Sequence, residues 1–407
     1  MEFEENNNDE HNNNEEENSI YTLKRKERII SFSRINKYYF FPFLYAISLS
    51  INYQYLGIKI GDRPFIKRTI ECLNFIITGI ICFIPSKCEK TNIKRPIKLG
   101  NRGHSIKLLF NENNSIPDKA IANSNYIYFL ILLIPLLLSI GTILPGYFYN
   151  QHEDHHILSS AIFFFLFGSI FSKIILKENI FYHQKLSIGL SFLGFIFIDI
   201  FKIIKLDKSD IRNNIINIIY ALTYSLAWIL MKDLTENYYM FPFSCLFYVG
   251  IIKLILIIIF NIIYSFYKSK DLSIVTDDFK SLEIMLCSYL LLKLIFGIIY
   301  AISMILTIYY LSPMMLIVAD IINIIISSIY ETIINKGEKD KLIIYYIGCF
   351  ILLIGSLIYN EIIILNFCGL NKNTTKYINK RQKKEILLLL KKDNDSNSEI
   401  EEEEIID

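Results

Sequence analysis

The sequence has few of the residues on which catalytic and metal-binding signatures depend. It contains only six histidines, and its seven cysteines include no C-x-x-C pair, which excludes the common zinc sites and a thioredoxin-like redox site. The phosphate-binding G-x-x-x-x-G-K-[ST] loop, the dinucleotide-binding G-x-G-x-x-G turn and the H-E-x-x-H zinc signature are all absent. These absences speak against an enzyme and against a pump driven directly by ATP.

One polar cluster could bind a metal, the run His152-Glu153-Asp154-His155-His156. Its imidazoles and carboxylates are ligands that zinc accepts. The run is a short polar turn between two apolar segments, however, so a solvated loop is the favoured interpretation. The sequence therefore predicts no metal site and no cofactor.

Charged residues are scarce wherever the chain is most apolar. Hydrophobic side chains make up 53% of the chain and charged ones 20%, and the charges concentrate in the tails and loops between long runs of Ile, Leu, Phe and Tyr. A charge placed in hydrocarbon costs about 3 kcal/mol. This distribution predicts a polytopic α-helical membrane protein and excludes a soluble enzyme.

The apolar runs are long enough to cross a bilayer as helices, which takes about 20 residues each. The predicted fold class is an all-α membrane protein with about ten transmembrane helices in two inverted five-helix repeats. The predicted spans are Tyr38–Gly57, Phe65–Ile84, Tyr126–Tyr149, His156–Leu176, Leu186–Ile204, Ile211–Met231, Phe241–Tyr267, Ile284–Tyr310, Pro313–Asn335 and Leu342–Leu365.

The predicted spans divide into two sets of five at the polar break Lys205–Arg212. Because five is an odd number, the second repeat enters the membrane from the opposite side, and transporters built this way bind substrate between their repeats. Lysine and arginine are concentrated in both tails and in one long loop, which the positive-inside rule assigns to the cytoplasm. The predicted segments are a disordered cytoplasmic tail at 1–37, a first repeat at 38–204 with a cytoplasmic loop at 85–125, a second repeat at 205–365 and a cytoplasmic tail at 366–407.

The leading candidate site lies in the ninth predicted span. Asp320, Asn323, Ser327 and Tyr330 follow one another at i, i+3, i+7 and i+10, which is one stripe along a helix. A carboxylate in mid-span needs a partner, a proton or water, so Asp320 is the first candidate for a substrate-binding or proton-coupling group. The alternative is an aspartate that fixes one helix to another.

Four side chains from other spans complete the predicted substrate-binding set: Asn52, Tyr224, Tyr300 and Ser303. Tyr224 belongs to an aromatic stripe of the sixth span, for which packing and a ligand cage stay equally open. The eighth span also carries Lys293. Its ammonium either pairs with an acidic substrate or extends to the membrane interface, and the second is the favoured interpretation.

Short motifs near the ends of the two repeats form a recognisable pattern. In the first half they are Ser159-Ser160, Lys177-Glu178-Asn179, Gln184, Gly189 and Gly194, and in the second Leu311-Ser312-Pro313, Gly348, Gly355 and Tyr359-Asn360-Glu361. With these motifs the region 38–365 resembles the drug/metabolite transporter superfamily, and its end is similar to the F branch of solute carrier family 35 and the chloroquine-resistance-transporter-like proteins. The Gly-Asn-x-x-Lys and Phe-Tyr-Asn-Asn signatures of nucleotide-sugar transporters are absent, which speaks against a nucleotide-sugar substrate.

The resemblance implies a cavity lined by the first, third, fourth, sixth, eighth and ninth spans. The expected function is a secondary transporter or exchanger that moves a small organic solute, a metabolite or a drug-like molecule, by alternating access. A non-transporting membrane scaffold or receptor and a nucleotide-sugar antiporter are the alternatives. The expected partners are a small-molecule substrate and the lipid bilayer, with a homodimer left open and no nucleic acid. The expected location is an endomembrane or vacuolar compartment.

Overall fold

The computed structural model describes residues 30–32, 37–52, 56, 64–88, 124–148, 156–177, 180–204, 208–236, 238, 240–269, 284–335, 339–374, 377–378 and 381. Two compact units are distinguished. The larger comprises Ile35–Ile180 and Gln184–Asn360. The smaller comprises Met1–Arg34, Phe181–His183 and Glu361–Asp407.

Ten α-helices account for nearly all of the described residues. They are α1 Phe40–Ser50, α2 Pro64–Cys88, α3 Ser124–Phe148, α4 His156–Ile174, α5 Tyr182–Ile204, α6 Lys208–Glu236, α7 Pro242–Ser269, α8 Ile284–Tyr310, α9 Met314–Asn335 and α10 Lys339–Tyr359. A short 3₁₀ turn, Lys37–Tyr39, precedes α1. The helices coincide in order and position with the ten predicted spans, and the all-α fold class is confirmed.

Four of the described helices are long and apolar enough to cross a bilayer. The segments that meet both requirements are Asn125–Ile143 in α3, Ile215–Thr235 in α6, Pro242–Tyr267 in α7 and Leu286–Tyr310 in α8. Shorter apolar segments occur in α1, α4, α9 and α10. The four long segments indicate a membrane protein. That the remaining helices also cross the membrane stays a prediction.

Helix α7 shows how the two sides of a span differ. One stripe at a spacing of four residues is buried and largely polar, and consists of Lys253, Ile257, Asn261 and Ser265. Another stripe is exposed and wholly apolar, and consists of Ile255, Ile259 and Ile263. A polar inner face and an apolar outer face are expected of a helix whose surroundings are lipid.

Within the larger unit, α1 packs against α8 and α9, and α6 packs against α3 and α4. Helix α2 packs against α7 and α8, α7 also packs against α3, and α4 packs against α9. Two glycines bring α2 and α7 together. A Cβ added at Gly79 would lie 2.6 Å from the Cβ of Phe247, and one at Gly250 would lie 2.9 Å from the Cβ of Phe75. Larger residues at either position would force these helices apart.

The end of the last predicted span is wrong. The prediction extends it to Leu365, whereas α10 ends at Tyr359 and Ile363–Leu365 is a strand, β2. Glu361 has a φ of 58°, a left-handed conformation that cannot continue a right-handed helix. Apolar composition alone could not reveal this boundary, because β2 is as hydrophobic as the helix before it.

Strand β2 pairs with a strand from the N-terminal segment. β1, Ile30–Phe32, runs antiparallel to β2, with Ile30 opposite Leu365 and Phe32 opposite Ile363. The sequence predicts disorder for residues 1–37, and β1 corrects that prediction for these three residues. The pairing depends on a partner at the far end of the chain, which local composition does not reveal. The rest of the segment 1–36, most of the basic loop and most of the C-terminal tail lie outside the described residues.

Candidate functional site

The carboxylate of Asp320 contacts helix α1 inside the larger unit. Its Oδ1 accepts a hydrogen bond of 3.2 Å from the hydroxyl of Tyr45, a residue with only 2% of its surface exposed. The start of α9, the helix that carries Asp320, is stabilised by Ser312, whose Oγ accepts the N–H of Met314 at 3.1 Å. A side-chain acceptor at this position satisfies one of the N–H groups that a helix start leaves without a partner.

Asn323 lies one turn further along α9 and also contacts α1. The Oγ of Ser50 lies 2.6 Å from the Oδ1 of Asn323 and 2.9 Å from the backbone oxygen of Ala46. A hydroxyl has one proton, so Ser50 donates to one of these acceptors at a time. The predicted stripe of α9 therefore faces α1, and Asp320 and Asn323 each make a polar contact with that helix.

Aromatic rings surround this polar contact. The rings of Tyr45 and Tyr300 stack with their centroids 5.0 Å apart, which connects α1 to α8. Tyr220 and Tyr224 on α6 lie 4.6 Å apart, and the hydroxyl of Tyr224 lies 3.0 Å from the Oγ1 of Thr142 on α3. Tyr45 of α1 thus contacts the carboxylate on α9, and Tyr300 of α8 stacks on Tyr45.

A second charged pair connects α2 and α7. The Nζ of Lys253 lies 2.6 Å from the Oε1 of Glu71 and 5.5 Å from the ring centre of Phe75. The sequence analysis missed Lys253 as a site residue. A signal was available, since a single lysine in the middle of the apolar run Phe241–Tyr267 is costly unless it is paired.

Lys293 is buried against the end of α1. It is 7% exposed, and its Nζ donates a hydrogen bond of 3.1 Å to the backbone oxygen of Asn52. The side-chain Oδ1 of Asn52 has no hydrogen-bond partner among the described residues. Asn52 and Lys293 therefore form a second meeting point of α8 with the end of α1.

The predicted substrate-binding residues do not all meet at one place. Asp320, Asn323 and Tyr300 contact α1 together, whereas Asn52 and Tyr224 make the separate contacts described above. The hydroxyl of Ser303 bonds within its own helix, 2.5 Å from the backbone oxygen of Ile299 and 3.1 Å from that of Tyr300. The side chain of Ser327 lies outside the described residues.

No group of three or more His, Cys, Asp or Glu residues within the described part of the chain could hold a metal ion. The polar turn from His152 to His155 falls outside that part, as does the side chain of His156.

No family model and no curated protein matches the chain. A solved crystal structure, described only as that of a protein, is similar to it with a TM-score of 0.49 and 9% sequence identity, over 79% of this chain and 95% of the other. The class that the chain itself defines is that of a helical membrane protein with a buried polar site.

Proposed function

We propose that the protein is a secondary transporter or exchanger of a small organic solute, with its substrate site around Asp320. The observation that carries the proposal is the contact of Asp320 with Tyr45, whose ring stacks on that of Tyr300. A carboxylate in the interior of a membrane bundle is costly, and such residues mark substrate and proton pathways by default. The tyrosines add polar hydroxyls to an apolar wall, which suits a site that must hold and release a solute.

The way the helices pack supports two repeats of opposite orientation. If α1–α5 is matched with α6–α10, the packing of α1 on α8 and α9 corresponds to the packing of α6 on α3 and α4. The packing of α2 on α8 corresponds in the same way to that of α7 on α3. A two-fold relation between repeats is the architecture in which rocking of one repeat against the other gives alternating access.

The last motif of the resemblance has a structural role that favours the proposal. The Nδ2 of Asn360 lies 3.0 Å from the backbone oxygen of Ser356 and 3.4 Å from that of Met314. The end of α10 is thereby held to the first turn of α9, the helix that carries Asp320. A shift of α10 during transport would be transmitted directly to the proposed site.

A non-transporting scaffold or receptor is the main alternative. In that case the Asp320–Tyr45 contact would only hold α1 against α9, as an interhelical hydrogen bond does in many membrane bundles. A nucleotide-sugar antiporter is a weaker alternative, since the sequence signatures of that group are absent. We propose that both termini lie in the cytoplasm, following the charge distribution, and that the protein resides in an endomembrane or vacuolar compartment.

Counterflow in liposomes tests the proposal. Purified protein is reconstituted and supplied with labelled amino acids, peptides, basic drugs and nucleotide sugars, and the Asp320→Asn variant is assayed beside it. Saturable exchange of one class, lost in Asp320→Asn, supports a transporter. Lys173→Gln, at an exposed lysine of α4, is the control and should keep exchange. Folded protein that exchanges nothing would favour the scaffold.

A further inference from the structure

Helices α5 and α10 meet through a pair of glycines that face each other in the same way. A Cβ added at Gly194 would lie 2.8 Å from the backbone oxygen of Gly348, and a Cβ added at Gly348 would lie 2.8 Å from the backbone oxygen of Gly194. Each added Cβ would also approach a backbone nitrogen one turn further along the other helix, that of Leu352 at 2.8 Å or that of Ile198 at 3.1 Å. The contact is therefore reciprocal.

Helices α2 and α7 meet in a similar way. A Cβ added at Gly79 would lie 2.9 Å from the Cα of Phe247, and a Cβ added at Gly250 would lie 3.0 Å from the backbone nitrogen of Ile76. In each helix the residue that is met lies three positions before the glycine. This contact is reciprocal too. Reciprocity of this kind is the mark of a two-fold relation, in which residue i meets j and j meets i.

The contact between α4 and α9 is not reciprocal. A Cβ added at Gly168 would lie 2.7 Å from the Sδ of Met314. Met314 is the first residue of α9, whereas Gly168 lies in the second half of α4. If the two repeats are inverted, the equivalent contact joins the start of α4 to the second half of α9. It belongs to the opposite end of the two helices, and contact at one end does not require contact at the other.

The three contacts differ in what happens to them when the repeats exchange conformations. Matching α1–α5 with α6–α10 pairs α2 with α7, α4 with α9 and α5 with α10. In a transporter built from inverted repeats, rocking of one repeat against the other opens the site to each side in turn, and each repeat takes the conformation of its counterpart. A reciprocal contact maps onto itself and is unchanged. A contact at one end of a helix pair is replaced by contact at the other end.

We propose that the glycine contacts of α2 with α7 and of α5 with α10 are the pivots of the transport motion and stay closed in both states, whereas the α4–α9 contact at Met314 opens in one of them. The pivot role rests on the proposed transport function and adds which part of the molecule stays fixed. Two fixed points define a line, so one repeat can move rigidly against the other only by rotating about that line. Glycine suits a pivot, because two backbones in direct contact have no interlocking side chains to repack.

Disulfide bonds placed across the two kinds of contact test the proposal. A Cβ added at Gly355 would lie 2.7 Å from the Oγ of Ser191, so Ser191→Cys with Gly355→Cys brings two thiols into disulfide range beside the α5–α10 pivot. Gly168→Cys with Met314→Cys is the matched pair across α4 and α9. Neither pair includes a residue of the proposed substrate site.

A second pivot variant serves if the first does not fold. It is Phe75→Cys with Gly250→Cys across α2 and α7, where an added Cβ at Gly250 would lie 2.9 Å from the Cβ of Phe75. Size-exclusion chromatography shows which proteins are folded, and mass spectrometry of proteolytic peptides measures the linked fraction. The single-cysteine variants, oxidised in the same way, reveal any effect that involves the native cysteines.

Counterflow in liposomes is measured with labelled amino acids, peptides, basic drugs and nucleotide sugars, after oxidation and again after reduction. We expect the protein with the α5–α10 disulfide to keep at least about half of its reduced exchange rate, because exchange needs both states and the pivot is closed in both. The α4–α9 disulfide holds one state, so we expect it to lower exchange by about tenfold or more, with recovery on reduction.

Exchange by the reduced proteins tests transport and the effect of oxidation tests the pivots, so the two can fail separately. Loss of exchange on forming the α5–α10 disulfide, restored by reduction, would overturn the pivots and leave transport standing. A folded variant that forms no such disulfide would contradict the close contact of these helices and overturn them as well. Unchanged exchange with the α4–α9 disulfide in place would remove the distinction on which the pivots depend. Folded, reduced protein that exchanges nothing would overturn both proposals.

Discussion

The Nζ of Lys253 lies 2.6 Å from the Oε1 of Glu71, inside the contact between α7 and α2. Lys253 has no exposed surface, and 14% of the Glu71 side chain is exposed. The pair explains how a lysine can occupy the middle of an apolar span. It also makes the contact between these two helices specific, because a shift of one helix along the other would separate the buried Lys253 from its counter-charge.

Removing one partner of this pair should destabilise the protein. Lys253→Met leaves Glu71 without its counter-charge, and we expect a loss of about 3 kcal/mol in the free energy of unfolding. Thermal unfolding of the purified protein in detergent, followed by intrinsic fluorescence, measures the effect. Lys253→Met combined with Glu71→Gln should recover most of the loss. Equal stability of the single and double variants would mean that losing its partner does not penalise Glu71, and would contradict the role of the pair.

The contact between Ser50 and Asn323 should be measurable as a coupling energy. Ser50→Ala, Asn323→Ala and the double variant form a cycle, and interhelical hydrogen bonds in membranes have given about 0.6 kcal/mol on average. We expect a coupling of that size or up to about 1.7 kcal/mol, because this contact is short and buried. Ser265→Ala in place of Ser50→Ala provides a cycle with a buried serine on α7, and its coupling to Asn323→Ala should be close to zero.

Gly297 should tolerate no side chain, whereas Gly189 should accept one. A Cβ at Gly297 would overlap the amide of Asn74, so Gly297→Ala should lower stability by about 1–3 kcal/mol through overpacking. Nothing lies within 4 Å of a Cβ at Gly189, and Gly189→Ala should raise stability by about 0.5–1 kcal/mol, the usual difference within a helix. Both variants are compared by thermal unfolding. A neutral Gly297→Ala would contradict the close approach of α2 and α8.

Lys232 should stabilise the end of α8. Its Nζ lies 2.6 Å from the backbone oxygen of Ile308, 3.0 Å from that of Tyr309 and 3.4 Å from that of Leu311. The last turn of a helix leaves carbonyl groups without an intrahelical partner, and a cation at a helix C-terminus is favourable. Lys232→Met should therefore cost about 1–3 kcal/mol in unfolding free energy, because it removes the charged donor of these hydrogen bonds. Lys173→Met, at an exposed lysine of α4, should be nearly neutral in the same assay.

Tyr45 should matter for transport beyond its packing. Tyr45→Phe keeps the ring that stacks on Tyr300 and removes only the hydroxyl that donates to Asp320. If Asp320 binds or couples, we expect slower exchange in liposomes with little change in thermal stability. Tyr248→Phe is the matched control, because Tyr248 is exposed on α7. Unchanged exchange in a folded Tyr45→Phe variant would show that exchange does not depend on the hydroxyl.

Much of the candidate site could be foreseen because helical spacing is a local property. Asp320 and Asn323 lie three positions apart, so any α9 helix must present them on one face, and the structure turns that face toward α1. Ser303 shows the limit of this reasoning. It occupies the same face of α8 as Tyr300, yet its hydroxyl bonds to its own backbone and offers little to a solute.

The partners of these residues could not be foreseen. Tyr45 and Asp320 are separated by 275 positions along the chain, and Lys253 and Glu71 by 182. The sequence does not identify either partner: Lys253 in an apolar run indicates that a counter-charge is needed, but not that Glu71 supplies it. Strand β2 could not be foreseen for the same reason. Its apolar residues could equally continue a helix, and only the pairing with β1 decides between the two.

The sequence by itself determined that this is a helical membrane protein, and where its ten helices lie. The reason is that the cost of a charge or an open backbone group in hydrocarbon acts on each segment separately. Tertiary structure alone decided which charges meet, which hydroxyls turn inward and where the last helix stops. Those outcomes depend on distances between segments far apart in the chain, and only the packed bundle sets them.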